Sequence, residues 1–313
     1  MTETEGTAEH AGRPPDVAGP EALVEVADGL WILPDRDRTP HVPNIGIVLG
    51  QRSALVVESG IGIANGERVL AIARDLAQDR RLYVTATHFH PEHGYGVQAF
   101  ADAATILYNK VQQQELFEKQ GSWTEFFSTF SPDIAKALEG VEYVPPDAVY
   151  GDSAEIDLGG RIVQLFDYGP AHTRGDQVIF LPSERVLFTG DLVEERFFAI
   201  MPDADTRAND WVERLEQMAR LNPSVVVPGH GALGGAELIA VASECLCLVR
   251  DRVVGLNGAG LAFDEIRAEV EPEVLARYPD WDNRDWVGEI IRFFHTELEP
   301  PSPTAGGAHP ASG

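Results

Sequence analysis

Apolar positions in this chain fall into short runs closed by Gly, Pro or Asn, alternating in places with stretches of helical spacing. The runs at 22–27, 30–33, 44–49 and 54–58 read as successive short strands. Between 66 and 78 the apolar residues are Val69, Leu70, Ile72, Ala73 and Leu76, one stripe of a helix. Leu82-Tyr83-Val84-Thr85-Ala86 follows as a buried strand. Strand, helix and strand in that order imply a parallel crossover within a larger sheet, and so the α/β class.

Residues 109–141 read as a helical insert, broken near Gly121 and Ser131-Pro132. Its aromatic residues Phe117, Trp123, Phe126, Phe127 and Phe130 either pack the insert onto the body or line a substrate pocket. Strands resume at 154–158, 162–167, 177–181 and 185–189, followed by an amphipathic helix at 211–221 and a short strand at 224–227. Helices dominate afterwards, at about 236–256, 263–271 and 284–298. The pattern predicts a main domain over 21–235 with C-terminal helices over 236–299 packed on it. Residues 1–20 and 300–313 lack periodicity and read as disordered tails, and His10 and His309 within them are not read as ligands.

A chain of 313 residues has ample length for a core in one large domain or two small ones. The formal charge of −26 argues against nucleic acid or an anionic membrane as partner, since both reward Lys and Arg. Cys245 and Cys247 are the only cysteines, too few for a disulfide framework. Two apart on a helix, they face opposite ways and read as small core residues. The first residues carry Glu3, Glu5, Glu9 and Asp16 without an apolar core, unlike a signal peptide, which sets a cytoplasmic expectation. Oligomeric state is left open.

The chemistry concentrates in Thr87-His88-Phe89-His90-Pro91-Glu92-His93-Gly94, directly after the strand at 82–86. On extended backbone His88 and His90 share a face, and Pro91 then turns the chain so that Glu92 and His93 can return towards the same point. Desolvating so many ionisable groups without a cation is costly, so the cluster reads as a metal site. Three later stretches repeat the design of a strand followed by a potential ligand. They are Leu165 to His172, Val186 to Asp191, and Val225 to His230. Each ligand stands just past the C-terminal end of an apolar run, where parallel-type sheets gather their chemistry.

The ordered set His88-x-His90-x-Glu92-His93, then His172, Asp191 and His230, resembles the metallo-β-lactamase-fold superfamily over about residues 22–235. The resemblance implies an αββα sandwich with metals at one edge of two facing sheets. It implies His88, His90 and His172 on one metal, His93, His230 and the first-motif carboxylate on a second, and Asp191 bridging. Two positions depart from the family. Glu92 stands where Asp is usual, so it either reaches the second metal or remains a free base. Val57-Glu58-Ser59-Gly60 replaces the family's Val-Asp-Thr-Gly, which makes Glu58 a candidate for orienting the ligands.

Imidazoles and carboxylates without thiolate suit Zn2+, two per chain, with iron or manganese as the other ions considered. Zinc lowers the pKa of bound water to about 7, so the expected reaction is attack of zinc-bound hydroxide on the carbonyl of a small ester, thioester, lactone or amide. Asp191 and Glu92 are the candidate proton carriers. Asp191 points away from the true β-lactamases of the family, which generally carry Cys or Ser there, and towards glyoxalase II, the lactonases and related metallo-hydrolases. The other readings are a mononuclear iron enzyme resembling the persulfide dioxygenases and a non-catalytic metal-stabilised binding protein. Pocket candidates are Phe89, Tyr95, Trp123, Phe126, Tyr168, Arg196, Phe197 and Phe198, with Arg196 suited to a substrate carboxylate.

Overall fold

The computed structural model describes residues 15–35 and 38–298. His10, His309 and the predicted tail at 300–313 lie outside the described residues, as do 1–14 of the predicted N-terminal tail. Residues 15–19 correct that reading, because they pack on the body. Val17 is buried, its N–H donates to Asn65 Oδ1 (2.9 Å), and Asn65 Nδ2 donates to Pro15 O (2.8 Å). Pro15 and Val17, both buried, the Asn65 amide and Arg68, which donates to Val17 O, hold a stretch that has no periodicity of its own.

Two sheets face each other. The larger begins with β1 (Val24–Ala27), β2 (Leu30–Leu33), β3 (Ile45–Leu49) and β4 (Ser53–Val57), paired antiparallel in sequence. Helix α1 (Gly62–Ala77) then crosses over to β5 (Arg81–Thr85), which pairs parallel with β4, as the strand–helix–strand pattern predicts. The helical turn α2 (Pro91–Gly94) follows β5, and β6 (Thr105–Asn109) and β7 (Ala148–Tyr150) extend the sheet in parallel. The pattern of the chain did not predict these last two strands. Each is short, and only pairing with its neighbour distinguishes it from the helix or loop beside it.

Between them lie α3 (Lys110–Ser128) and α4 (Pro132–Ala137). Gly121 does not break α3, contrary to expectation. It is solvent-facing, and its cost of about 1 kcal/mol in a helix is offset by Leu116, Trp123 and Phe127, buried on either side of it. The break comes at Ser131, whose hydroxyl caps α4 by accepting from Ile134 N.

The smaller sheet has the order β12-β11-β10-β9-β8, from β8 (Ser153–Asp157), β9 (Ile162–Asp167), β10 (Gln177–Leu181), β11 (Val186–Gly190) and β12 (Val225–Pro228). The first four of these pair antiparallel, and β11 pairs parallel with β12 after the crossover α5 (Ala208–Arg220). Leu30, Val48, Leu55, Leu165, Ile179 and Phe188 fill the space between the sheets. Gly46 lets them close there, since a Cβ on it would meet the Phe188 ring at 2.4 Å.

Each sheet buries its outer face under helices. Val69 and Ala73 of α1 cover the larger sheet. Trp211 and Leu215 of α5 cover the smaller one, together with α6 (Ala236–Gly258), α7 (Phe263–Arg277) and α8 (Val287–Thr296). The core cluster there runs without interruption from Val178 and Leu187 in the strands to Val249, Val270 and Ile291 in the helices. This is the αββα sandwich. Cys245 is buried and Cys247 half-buried, both as free thiols. Among the described residues no helix is long and apolar enough to cross a membrane.

Candidate metal centre

Four strand ends meet at one edge of the sandwich. β5 delivers His88, His90, Glu92 and His93; the loop after β9 delivers His172; β11 ends at Asp191 and β12 at His230. All seven side chains are buried. They form two groups whose donor atoms lie within 4.8 Å of one another: His88, His90, His172 and Asp191 in the first, Glu92, His93, Asp191 and His230 in the second. The structure thus gathers every residue that the sequence singles out as a metal ligand.

In the first group His90 Nδ1 stands 3.0 Å from His88 Nε2 and 3.1 Å from His172 Nε2. Asp191 Oδ2 lies 3.7 Å from His88 Nε2 and 3.8 Å from His172 Nε2. Its other oxygen, Oδ1, faces the second group, 3.2 Å from His93 Nε2 and 3.7 Å from His230 Nε2. Donors about 2.0–2.1 Å from a tetrahedral zinc stand roughly 3.3 Å apart, a spacing these distances bracket. Glu92 joins the second group despite its extra methylene.

Partners behind the donors hold them in orientation. His172 Nδ1 lies 2.9 Å from Ile200 O and His230 Nδ1 2.9 Å from Val42 O, which makes both Nδ1 atoms donors and turns each Nε2 inward. Thr87 Oγ1 is 3.0 Å from His88 Nδ1. Glu58, at a left-handed backbone position (φ +73°), lies behind His93 with Oε1 3.4 Å from Nδ1, and it accepts from Thr87 N. Asn44 donates to Pro228 O and Gly231 O, both at 2.9 Å, and so ties the β2–β3 connection to the His230 loop.

Charge in the centre is divided. Burial, reinforced by neighbouring imidazoles, holds His88 and His90 well below the usual histidine range, and burial also lowers His172, so these rings are neutral at physiological pH. Burial opposes charge on His93 and His230 too, but carboxylates outweigh it. Asp191 and Glu58 raise His93, while Asp191 and Asp35 lift His230 to about 9. Burial would raise Glu92, yet His41 and His93 bring it down to about 2. Asp191 is likewise held low against burial by His93 and His230.

A cation fits this arrangement on an independent ground. Facing the centre, Glu92 Oε2, His93 Nε2 and Asp191 Oδ1 are buried without a hydrogen-bond partner. Orphaned polar atoms of this kind cost about 1–3 kcal/mol each, so several converging on one point call for a positive charge.

The centre floors a cavity of about 370 Å³. Trp123 and Phe126, expected as pocket residues, line it, as does Phe197. Other expected residues turn out to be packing. Phe89, Tyr95, Tyr168 and Phe198 are buried outside the lining, with Tyr95 Oη donating to Gln120 O. Arg196 is corrected as well: it is exposed, its Nη2 reaches Asp280 O, and it does not line the cavity. The arginine that does is Arg38, paired to Asp282 (3.3 Å).

Sequence reasoning also missed His41 and Glu194. His41 Nδ1 sits 3.8 Å from Glu92 Oε1, from a loop with no motif around it. Glu194 lines the cavity and is raised well above the carboxylate range by burial and then by Asp191. Its only sequence signal is an acid in the apolar stretch following Asp191.

Comparison with known proteins agrees with the geometry. A linear primary-alkylsulfatase of Pseudomonas sp. (strain ATCC 19151) is 24% identical over 275 residues, covering 75% of this chain and 51% of that protein. The chain therefore spans about half the length of that relative. Acyl-coenzyme A thioesterase MBLAC2 of Bos taurus is 27% identical over 232 residues, covering 68% of this chain and 81% of that one. Among solved structures, the inverting sec-alkylsulfatase Pisa1 from Pseudomonas sp. superposes with a TM-score of 0.69 at 15% identity, covering 90% of this chain and 50% of that chain. The family model described as "Metallo-beta-lactamase superfamily" matches residues 38–230, from the loop before β3 to the last histidine of the centre. The chain belongs to the metallo-β-lactamase superfamily, and the matched span contains both groups of buried His, Asp and Glu donors.

Proposed function

We propose that the protein is a dinuclear zinc hydrolase acting on a small carbonyl substrate: an ester, thioester, lactone or amide. The observation that carries this reading is Asp191, whose two oxygens face two separate donor groups. In this reading His88, His90 and His172 would hold one cation and Glu92, His93 and His230 the other, with Asp191 belonging to both groups. When bound, the cations supply Lewis-acid polarisation of the scissile carbonyl and water whose pKa is lowered towards neutrality.

The chain's own residues do the rest. Glu58 keeps the His93 ring turned inward, and the carbonyls of Ile200 and Val42 do the same for His172 and His230. With its two oxygens facing the two donor groups, Asp191 would orient the attacking water, whose proton would pass to the leaving group as that group departs. Trp123 and Phe127 line the cavity beside His90 and keep bulk water from the reacting carbonyl. The thioesterase relative supports an acyl substrate. A second complete donor group favours two cations over the mononuclear iron reading.

Sulfate-ester hydrolysis is a second reading, favoured by the alkylsulfatase likeness. Covering 90% of the chain, it must extend into the C-terminal helices. Arg38 on the cavity wall suits an anionic group. The test is elemental analysis of protein purified without chelator, paired with a panel of carboxylic esters, thioesters, lactones and sulfate esters. About two zincs per chain and turnover of carbonyl substrates, both reduced in Glu92→Ala and lost in His88→Ala, are expected. A single iron with oxygen consumption would overturn the reading, and turnover of sulfate esters alone would replace it with the second.

A further inference from the structure

Trp123, Phe126, Phe127 and Phe130 recur at helical spacing and form one aromatic face, all four bordering the cavity. The face starts at the metal centre, where the Trp123 ring stacks on His90 with centroids 4.3 Å apart. It runs outward through Phe127 to Phe126 and Phe130, whose rings lie 4.9 Å apart at the far end. His41 closes the opposite side, stacked on Phe130 at 5.3 Å.

The two ends of this face are treated differently. Trp123 and Phe127 are 9% and 5% exposed and serve the core, whereas Phe126 and Phe130 are each 45% exposed. Packing the insert onto the body therefore accounts for only half of the face. Two large aromatic rings left open beside a cavity that Phe197, Ile200, Pro202 and Trp286 also line mark a surface to be covered by a ligand. From Trp123 to Phe127 the helix advances about 6 Å, and Phe130 follows just beyond its end at Ser128. At ~30 Å³ per water-sized group the cavity of about 370 Å³ has room for at least a dozen non-hydrogen atoms.

The position of the helix is itself pinned. Lys119 Nζ, one turn before Trp123, reaches Glu115 on its own helix (2.8 Å) and Asp203 (2.5 Å) and Asp205 (2.8 Å) on the loop that follows cavity residues Ile200 and Pro202. The aromatic wall and the facing loop are thereby held at a set separation.

We propose that this face is the subsite for a linear apolar chain, so that the substrates are medium-chain acyl compounds with the reacting group at the metal centre and the chain laid along Trp123, Phe127, Phe126 and Phe130. The proposal rests on the hydrolase reading for the reacting end, but the chain subsite can be measured without turnover. The experiment is calorimetric titration of the metal-loaded protein with straight-chain carboxylates from butyrate to dodecanoate, each below its micellar concentration. The same series is run on Phe126→Ser/Phe130→Ser, two exposed positions whose change leaves the fold and the metal content intact.

Affinity in the wild type is expected to rise about three- to fourfold per methylene and to level off once the cavity is filled. In the double variant the gain per methylene should fall below about twofold at unchanged zinc content. Affinity independent of chain length, or identical series for the two proteins, would overturn the proposal. Chain-dependent binding without turnover of any ester would uphold the subsite and sink the hydrolase reading. Turnover of acetyl esters with no chain dependence would do the reverse.

Discussion

Gly229 offers a direct way to disturb the shared carboxylate without touching a donor. It lies between the end of β12 and His230, and a Cβ placed on it would stand 2.0 Å from Asp191 Oδ1. Ordinary contact begins near 3.4 Å, so in Gly229→Ala the oxygen has to retreat by the difference, 1.4 Å. Backbone strain does not enter, because Gly229 is not among the positive-φ residues. Its N–H, donating to Gly190 O (3.0 Å) and Val193 O (3.1 Å), is kept by alanine.

The same Cβ would meet Gly190 C at 2.8 Å and Asp191 N at 3.0 Å, so the end of β11 shifts with the carboxylate. The effect falls on Asp191 as a whole, pulling Oδ1 away from His93 Nε2 and His230 Nε2. A misplacement of about 1 Å is worth roughly 100-fold in rate, and overpacking a dense site costs about 1–3 kcal/mol. Gly229→Ala should therefore fold, melt a few degrees lower, lose the second cation first and drop about 100-fold in kcat/KM. Elemental analysis, thermal melting and hydrolysis of whichever ester the panel selects read these separately. Full metal content with kcat/KM within about threefold of wild type would refute the claim that Asp191 links the two groups.

Lys119→Ala leaves Glu115, Asp203 and Asp205 facing one another around a lost ammonium. Breaking a buried ion pair costs about 3–5 kcal/mol. With Lys119 17% exposed the lower end applies, roughly 6 °C in Tm, and calcium ions should restore part of it. A Tm unchanged with and without calcium contradicts the latch.

Cation binding should also be pH-dependent in a way that separates the two groups. His88, His90 and His172 have lowered pKa values, so the first cation displaces no proton above neutral pH. His93 is raised and His230 lies at about 9, so both are protonated in the metal-free protein at neutral pH and must lose those protons to bind the second cation. Affinity for the second cation should fall as pH drops below about 9, by about tenfold per unit for each proton displaced. Zinc titration in a weak buffer with a pH indicator should show on the order of one to two protons released per chain. Release of none would contradict the assignment of His93 and His230.

Much of this protein is readable before it folds, for a local reason. His88, His90, Glu92 and His93 lie within six positions at a strand end marked by Pro91 and Gly94, and strand ends are where neighbouring residues can converge. His172, Asp191 and His230 repeat that signature; the periodicity of the strands and helices between them points to the α/β class, and the sandwich is what the family resemblance of the ordered set implies. What local pattern cannot carry is contact between distant segments. His41 comes to rest against Glu92, Arg38 rather than Arg196 reaches the cavity, and Lys119 meets Asp203 and Asp205 from another part of the chain. Strands β6 and β7 exist because a neighbouring edge completes their hydrogen bonds. Spacing along the chain therefore marked the candidate donors and the α/β class. The close packing of segments far apart in sequence decided the cavity, its aromatic wall and the charge balance around the donors, because burial and Coulomb interactions depend on distance in space.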